Sequence, residues 1–275
     1  MHKPIKFITV GLALLALAAC SSQAAPSANP SSETSTADAG AAADPAIEAL
    51  GGTIKFGTEG TYSPFSYHDE SGKLVGYDIE VAEAVASKLG LTAEFAEVQW
   101  EGIFAALETG QFNAIANEVE LTDERKGKYD LSEAYSVSYP VAITKSDDDS
   151  IKAVADLKGK TSAQSPGSNW GAKAEGYGAT VETVPGFSES VTAVAQGRVD
   201  FTLNDALAAL DYYKTTGDTA THVTLEITDD KVYQGFALKK DSGLVTAINS
   251  ALAELQSDGT LAQIGEKYFG KDISK

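Results

Sequence analysis

The stretch QGRVDFTLNDALAALDY, residues 196–212, carries a short apolar strand that changes at once to helical period. Residues 200–203 read as strand, and Asp205 can cap a helix over 205–213. Just upstream, residues 188–196 read as a helix with Ser188 as its cap. Helix, strand and helix in so short a span are the repeating unit of an α/β sheet.

Working outward, the same unit recurs on both sides. Residues 53–57 predict a strand, and Asp78 is placed to cap a helix running to residue 89, with Gly90 just past its end. Residues 92–98 predict a strand, 102–108 a helix and 112–117 a buried strand. Beyond residue 149 the pattern resumes, with a strand at 160–164, a helix at 168–175, a strand at 232–238 and helices at 244–256 and 260–268. The expected fold is α/β, with parallel sheets in two Rossmann-like lobes joined by two crossover strands near 139–145 and 232–239. The lobe boundaries follow: residues 51–138 with 236–275 form the first lobe, and 139–235 the second.

Open α/β sheets bind ligands beyond the carboxyl ends of their strands, so chemistry is sought there. Arg125 follows a buried strand, and its forked donors match a carboxylate. Asn204 and Asp205 end a strand of the other lobe, where Asp205 can accept an ammonium while also capping its helix. Ser168 and Asn169 open a helix whose free N–H groups favour an anion. Tyr62 and Trp100 offer ring faces for a cation or an apolar chain. An anion clamp, an ammonium acceptor and two ring faces form a recognition set for an α-amino acid. No nucleophile–base pair accompanies them, so no catalytic residue is assigned.

Composition narrows the choice further. The 275 residues carry 39 acids against 21 Lys plus Arg, a formal net charge of −18. Such a surface argues against nucleic acid as partner, because phosphate binding requires a positive footprint. The one cysteine, Cys20, excludes an internal disulfide, and the three widely spaced histidines leave little raw material for a metal site. Neither metal nor cofactor is expected.

The N-terminus reads as an address. His2, Lys3 and Lys6 precede an apolar run at 7–19, which has the length of a signal-peptide core and is too short to span a bilayer. The run ends Leu17-Ala18-Ala19-Cys20 and resembles a bacterial lipobox, in which Cys20 is lipidated after removal of residues 1–19. Residues 20–50, rich in Ala, Ser, Thr and Pro, have the composition of a disordered tether.

Several long stretches carry a family resemblance: GTEGTYSPFSY (57–67), GKLVGYDIEVAEAVASKLG (72–90), WEGIFAALETGQFNAI (100–115), LTDERKGKYDLSEAYSVS (121–138) and LAELQSDGTLAQIGEKYFG (252–270), together with 196–212. In this order they resemble the polar amino-acid binding proteins of ABC importers, with cystine-type binders most similar. The resemblance implies a periplasmic-binding-protein-like fold of type II and a monomer that closes by hinge motion on one amino acid. It further implies delivery to an ABC permease from a lipid anchor on the outer face of the cell membrane. Residue by residue, it assigns Arg125 to the ligand carboxylate, Tyr62 and Trp100 to the aromatic walls, and Asp205 to the ammonium. Asn169 becomes a backbone donor to the carboxylate, and Glu59 stands near the ligand side chain.

The chain departs from the family pattern at Glu118 and Glu120, where a small or amide residue and then Ser or Thr are usual. Alternation along a strand puts both on one side. If both enter the cleft, they weaken the hold of Arg125 on a carboxylate or favour a more cationic ligand. The outward orientation is the expectation. Some relatives of the fold are dehydratases, so an enzyme using Glu118 or Glu120 as acid is the rival to a binding protein.

Overall fold

The computed structural model describes residues 44–275. The expected leader, Cys20 and most of the tether lie outside the described residues. Within the tail of that tether, Pro45–Glu48 forms a helical turn capped by Asp44, and Ile47 and Leu50 pack against the core. The ordered body therefore starts inside the stretch whose composition reads as tether.

Two sheets organise the rest. The larger has the strand order Thr92–Glu97, Thr53–Thr58, Ala114–Glu120, Val232–Leu238 and Asp130–Leu131, with Ser136–Ser138 also paired to Val232–Leu238. The smaller has the order Thr180–Thr183, Thr161–Gln164, Phe201–Asp205, Pro140–Lys145 and Thr221–Glu226. The chain passes from the larger to the smaller between Ser138 and Pro140 and returns between Glu226 and Val232.

Neither sheet is wholly parallel, contrary to the expectation from the strand–helix alternation. The first three strands of each run parallel, but Val232–Leu238 is antiparallel to Ala114–Glu120, and Pro140–Lys145 is antiparallel to Phe201–Asp205. The reason lies in the crossovers. A strand that arrives directly from the other sheet, with no intervening helix, is free to enter in the opposite sense.

Alternation along Ala114–Glu120 shows how the larger sheet is held. Ala114 and Ala116 pack into one cluster with Val81, Val85 and Ile248, while Ile115 and Val119 pack into another with Ile103 and Leu107. Side chains of period two thus feed cores on both faces, which helices cover. The smaller sheet repeats the plan, with Phe201 and Leu203 on one side and Val141 and Ile143 on the other.

Two expected caps are not caps. The helix Tyr77–Lys88 starts from Gly76, whose φ of 139° suits glycine and where a Cβ would stand 2.1 Å from the Phe65 carbonyl oxygen. The N–H groups of Tyr77 and Asp78 donate to the carbonyls of Pro64 and Phe65 at 3.0 Å each. Asp78 is released from capping and turns into the interior. Likewise Gly186, not Ser188, precedes the helix Phe187–Ala195.

Candidate functional site

One cavity of about 210 Å³ opens between the carboxyl ends of the two sheets, and its walls come from both. Glu59 follows the strand Thr53–Thr58, Trp100 begins the helix after Thr92–Glu97, and Glu118 and Glu120 end Ala114–Glu120. From the smaller sheet, Ser168 and Asn169 follow Thr161–Gln164, and Asp205 ends its own strand. Tyr62 completes the set. All the expected site residues except Arg125 line this space. Thr61, Gln99, Ser165, Trp170, Asn204 and Gln234 line it too. All but Gln234 fall in the strand-end segments that the sequence marks for ligand binding, although none of the six is assigned a contact there.

Local geometry fixes each polar wall. Ser168 caps the helix Asn169–Gly176, its Oγ accepting from Gly171 N at 3.1 Å. Asp205 caps the helix Ala206–Thr216, Oδ1 accepting from Leu207 N at 2.7 Å and from Ser138 Oγ at 2.9 Å, while Gln234 donates to Oδ2 at 3.1 Å. Burial pushes the Asp205 carboxyl up to about 6, against the pull of those donors. Glu59 is also pushed up by burial and held by Asn117 Nδ2 at 2.7 Å. Asn117 Oδ1 gathers Glu59 N at 2.8 Å and Thr58 Oγ1 at 3.1 Å, so one buried amide sets the loop that carries Glu59.

Glu118 and Glu120 both face inward, which corrects the outward expectation. The two share a side, as alternation requires, and that side faces the cleft. The backbone at Glu118 is irregular, with φ 48° in the left-handed region, opposite a bulge between Gly235 and Ala237. The Glu118 N–H donates to Asp78 Oδ2 at 2.7 Å, and Asp78 Oδ1 accepts from the Tyr135 hydroxyl at 2.8 Å. Ser136 Oγ donates to Glu118 Oε1 at 2.9 Å, whereas Glu118 Oε2 is buried without a hydrogen-bond partner. Burial first, then the neighbouring Asp78 and Asp205, raises the Glu118 pKa well above its usual range, and Asp78 rises to about 7. Glu120 Oε1 lies 3.5 Å from Lys173 Nζ of the smaller-sheet side.

Arg125 is buried rather than superficial, but it does not line the main cavity. Its guanidinium carbon sits 5.3 Å from the ring centroids of Trp100 and of Phe104, and Nη1 donates to the Glu120 carbonyl at 3.0 Å. It lines a neighbouring cavity that shares Glu120, Ser168 and Asn169 with the first. The short helix Asp123–Lys128, capped by Thr122, positions it there.

Besides the bonds of Ser138 and Gln234 to Asp205, three further polar contacts among the described residues join the two sides. They are Tyr62 OH to Asn204 Oδ1 at 2.7 Å, Ser63 Oγ to Asp211 Oδ2 at 2.7 Å, and Lys173 with Glu120. Carboxylates, amides, hydroxyls and two indoles enclose the space, an assembly suited to holding a small polar solute. Among the described residues no group of three or more His, Cys, Asp or Glu is arranged to hold a metal ion.

The family model for bacterial extracellular solute-binding proteins, family 3, matches residues 54–271. The chain belongs to this family. Among curated relatives of this solute-binding protein, the L-cystine-binding protein TcyA of Bacillus subtilis is 47% identical over 226 residues, 82% of this chain and 84% of that one. The L-cystine-binding protein TcyJ of Escherichia coli K12 is 38% identical over 231 residues, 82% and 85% of the two chains. Among solved structures, an ancestral arginine-binding protein bound to arginine superposes with a TM-score of 0.74 at 37% identity, covering 80% of this chain and 99% of that one. The unliganded, open L-cystine solute receptor of Neisseria gonorrhoeae gives 0.57 at 44% identity, covering 83% and 99%. The solute-binding protein thus has the type II periplasmic-binding fold and belongs outside the cytoplasm. Among the described residues no helix is long and apolar enough to cross a membrane.

Proposed function

We propose that this protein is the receptor of an ABC importer, which closes on one polar amino acid and presents it to the permease. The observation that carries this reading is the convergence of Asp205, Ser168, Asn169, Tyr62 and Trp100, from both sheets, on one cavity. Asp205 takes the α-ammonium, and the N-terminal turn of the helix Asn169–Gly176 takes the carboxylate. Trp100 and Tyr62 flank the side chain, and Arg125 supports the carboxylate side from behind Trp100. The expected lobes, residues 51–138 with 236–275 and residues 139–235, meet in the closed state, and the larger-sheet strand Val232–Leu238 crosses the boundary between them. Two features support closure: the polar contacts across the cleft, and a better match to a ligand-bound structure than to an open one of higher identity.

Cystine is the first candidate ligand, because the relatives TcyA and TcyJ carry that name. The protein works as a monomer, anchored through lipid on Cys20, and releases its ligand unchanged. The dehydratase alternative draws on Glu118, a buried acid with a raised pKa, but the curated relatives quoted are binding proteins, so binding is preferred. Both tryptophans, Trp100 and Trp170, line the cavity, so intrinsic fluorescence reports its occupancy. A fluorescence and thermal-shift screen of the common amino acids and cystine tests the reading. A ligand at a hundred times its dissociation constant adds about 2.7 kcal/mol of stability, and the absence of any hit would defeat it.

A further inference from the structure

The main cavity holds more negative charge than a single ammonium requires. Glu59, Glu118, Glu120, Glu189 and Asp205 line it, and none of the described residues lining it is Lys, Arg or His. Glu59 is tied to Asn117, Asp205 to its helix and to Gln234, and Glu120 faces Lys173. Glu118 and Glu120 each keep one buried oxygen without a hydrogen-bond partner, and Glu118, the more deeply buried of the two, has the acid Asp78 beside it where Glu120 has Lys173. Glu118 is 8% exposed, one oxygen accepts from Ser136, and the other, Oε2, has no partner. A buried carboxylate oxygen left unpaired is costly, and the backbone that presents it is held in the left-handed region by the bond from Glu118 N to Asp78. Such an arrangement persists where a partner completes it.

We infer that Glu118 receives a second cationic nitrogen of the ligand, so that the preferred solute is an α-amino acid bearing a further ammonium or guanidinium. This rests on the amino-acid reading above, with Asp205 holding the α-ammonium. The titratable groups around Glu118 are Asp78 and Tyr77 of one helix, Tyr135, Tyr62 and Asp205, and all are acids. Among the described residues no Lys, Arg or His lines the cavity to offset Glu118. Burial raises Glu118 well above the usual carboxylate range and Asp78 to about 7, so protons compete with a cation for this pair. A cation entering beside them drives those protons out.

The experiment is titration calorimetry at pH 7 on the wild type and Glu118→Gln with lysine, arginine, cystine and glutamine, in two buffers of different ionisation enthalpy. The wild type should bind at least one of the three doubly cationic ligands more tightly than glutamine and release protons as it does so. Glu118→Gln should lower the ratio of that ligand's affinity to glutamine's tenfold or more and reduce the proton release. An unchanged ratio, or glutamine preferred by the wild type, overturns the inference while leaving amino-acid binding intact. Failure of every amino acid to bind defeats the earlier reading instead. Should Glu118→Gln fail to fold by circular dichroism, proton release by the wild type decides: preference without release, or no preference, counts against Glu118.

Discussion

The Tyr62 hydroxyl and the Asn204 side chain meet across the cleft at 2.7 Å, and the same Asn204 oxygen accepts the backbone N–H of Asp205 at 2.8 Å. One acceptor thus links the aromatic wall of the larger-sheet side to the residue that ends the central strand of the smaller sheet. Closure and the placement of Asp205 share an atom. A bond of this kind contributes about 0.5–1.5 kcal/mol net, enough to bias a balance between open and closed states.

Tyr62→Phe keeps the ring and removes that bond. Affinity for the ligand should fall by about 2–12-fold, the equivalent of that energy. Small-angle scattering of the unliganded variant should show a larger radius of gyration than the wild type. Equal scattering curves and equal affinities would mean that the contact does not hold the lobes together.

Stability should depend on pH in an unusual direction. Burial raises Asp78 to about 7 and Asp205 to about 6, with Glu118 also raised, whereas unfolded carboxyls titrate at about 3.9–4.3. Between about pH 4 and 7 the folded state therefore holds more protons than the unfolded state, and stability falls as pH rises through that window. Carboxylates such as Asp258, pulled down to about 2 by Lys88 and Thr260, act in the opposite sense and only at lower pH. The unliganded protein should melt higher at pH 5 than at pH 7.5, and Asp78→Asn should flatten that slope. Melts that rise steadily from pH 5 to 7.5 would show that the three acids are not buried together.

On the proposed reading, Arg125 acts through the aromatic wall it packs against. Its guanidinium lies over both Trp100 and Phe104, and a desolvated cation–π contact is worth about 2 kcal/mol. Arg125→Ala should weaken ligand binding by about 1–3 kcal/mol and shift the tryptophan emission of the empty protein. Arg125→Lys should recover only part of this, because an ammonium does not reproduce a planar group over two rings. A full recovery in calorimetry would reduce the role of Arg125 to charge alone.

Cys20→Ser should move the protein from the membrane fraction to the soluble fraction after salt washing, with its ligand affinity unchanged. Retention on membranes would defeat the lipid-anchor reading. This prediction comes from the sequence motif, because residue 20 lies outside the described residues.

What the sequence made legible was local. The change of period at residues 200–205 announced both the strand and the cap, and Asp205 does cap its helix. Strand ends pointed to most of the cavity lining because the chemistry of α/β folds collects there. The inward turn of Glu118 was not legible, since it depends on a left-handed backbone and on an acceptor from Asp78, 40 residues away. Alternation puts Glu118 and Glu120 on one side but does not say which side faces the cleft. Asp78 itself read as a cap because nothing in its neighbourhood shows that Pro64 and Phe65 already satisfy the helix. The antiparallel strands were hidden for a similar reason, as period two carries no direction.

Asp205 separates structure from binding most cleanly, because its two tasks need different chemistry. As a cap it needs an oxygen facing Leu207 N, and as a ligand group it needs charge. Asn caps as well as Asp, so Asp205→Asn should keep the helix Ala206–Thr216. Its amide nitrogen would replace the oxygen that faces Gln234, but Gln234 can turn its own amide, since Ser136 Oγ both donates and accepts. The variant should fold, and at pH 7 it should be no less stable than the wild type, because it removes a buried charge. Ligand affinity should nevertheless fall by about 2–5 kcal/mol, as the ammonium loses its desolvated partner. Asp205→Ala should lose the same affinity and about 0.5–2 kcal/mol of stability besides. Melts and calorimetry on all three proteins check this, and an Asn variant that binds normally would show that Asp205 is a cap and nothing more.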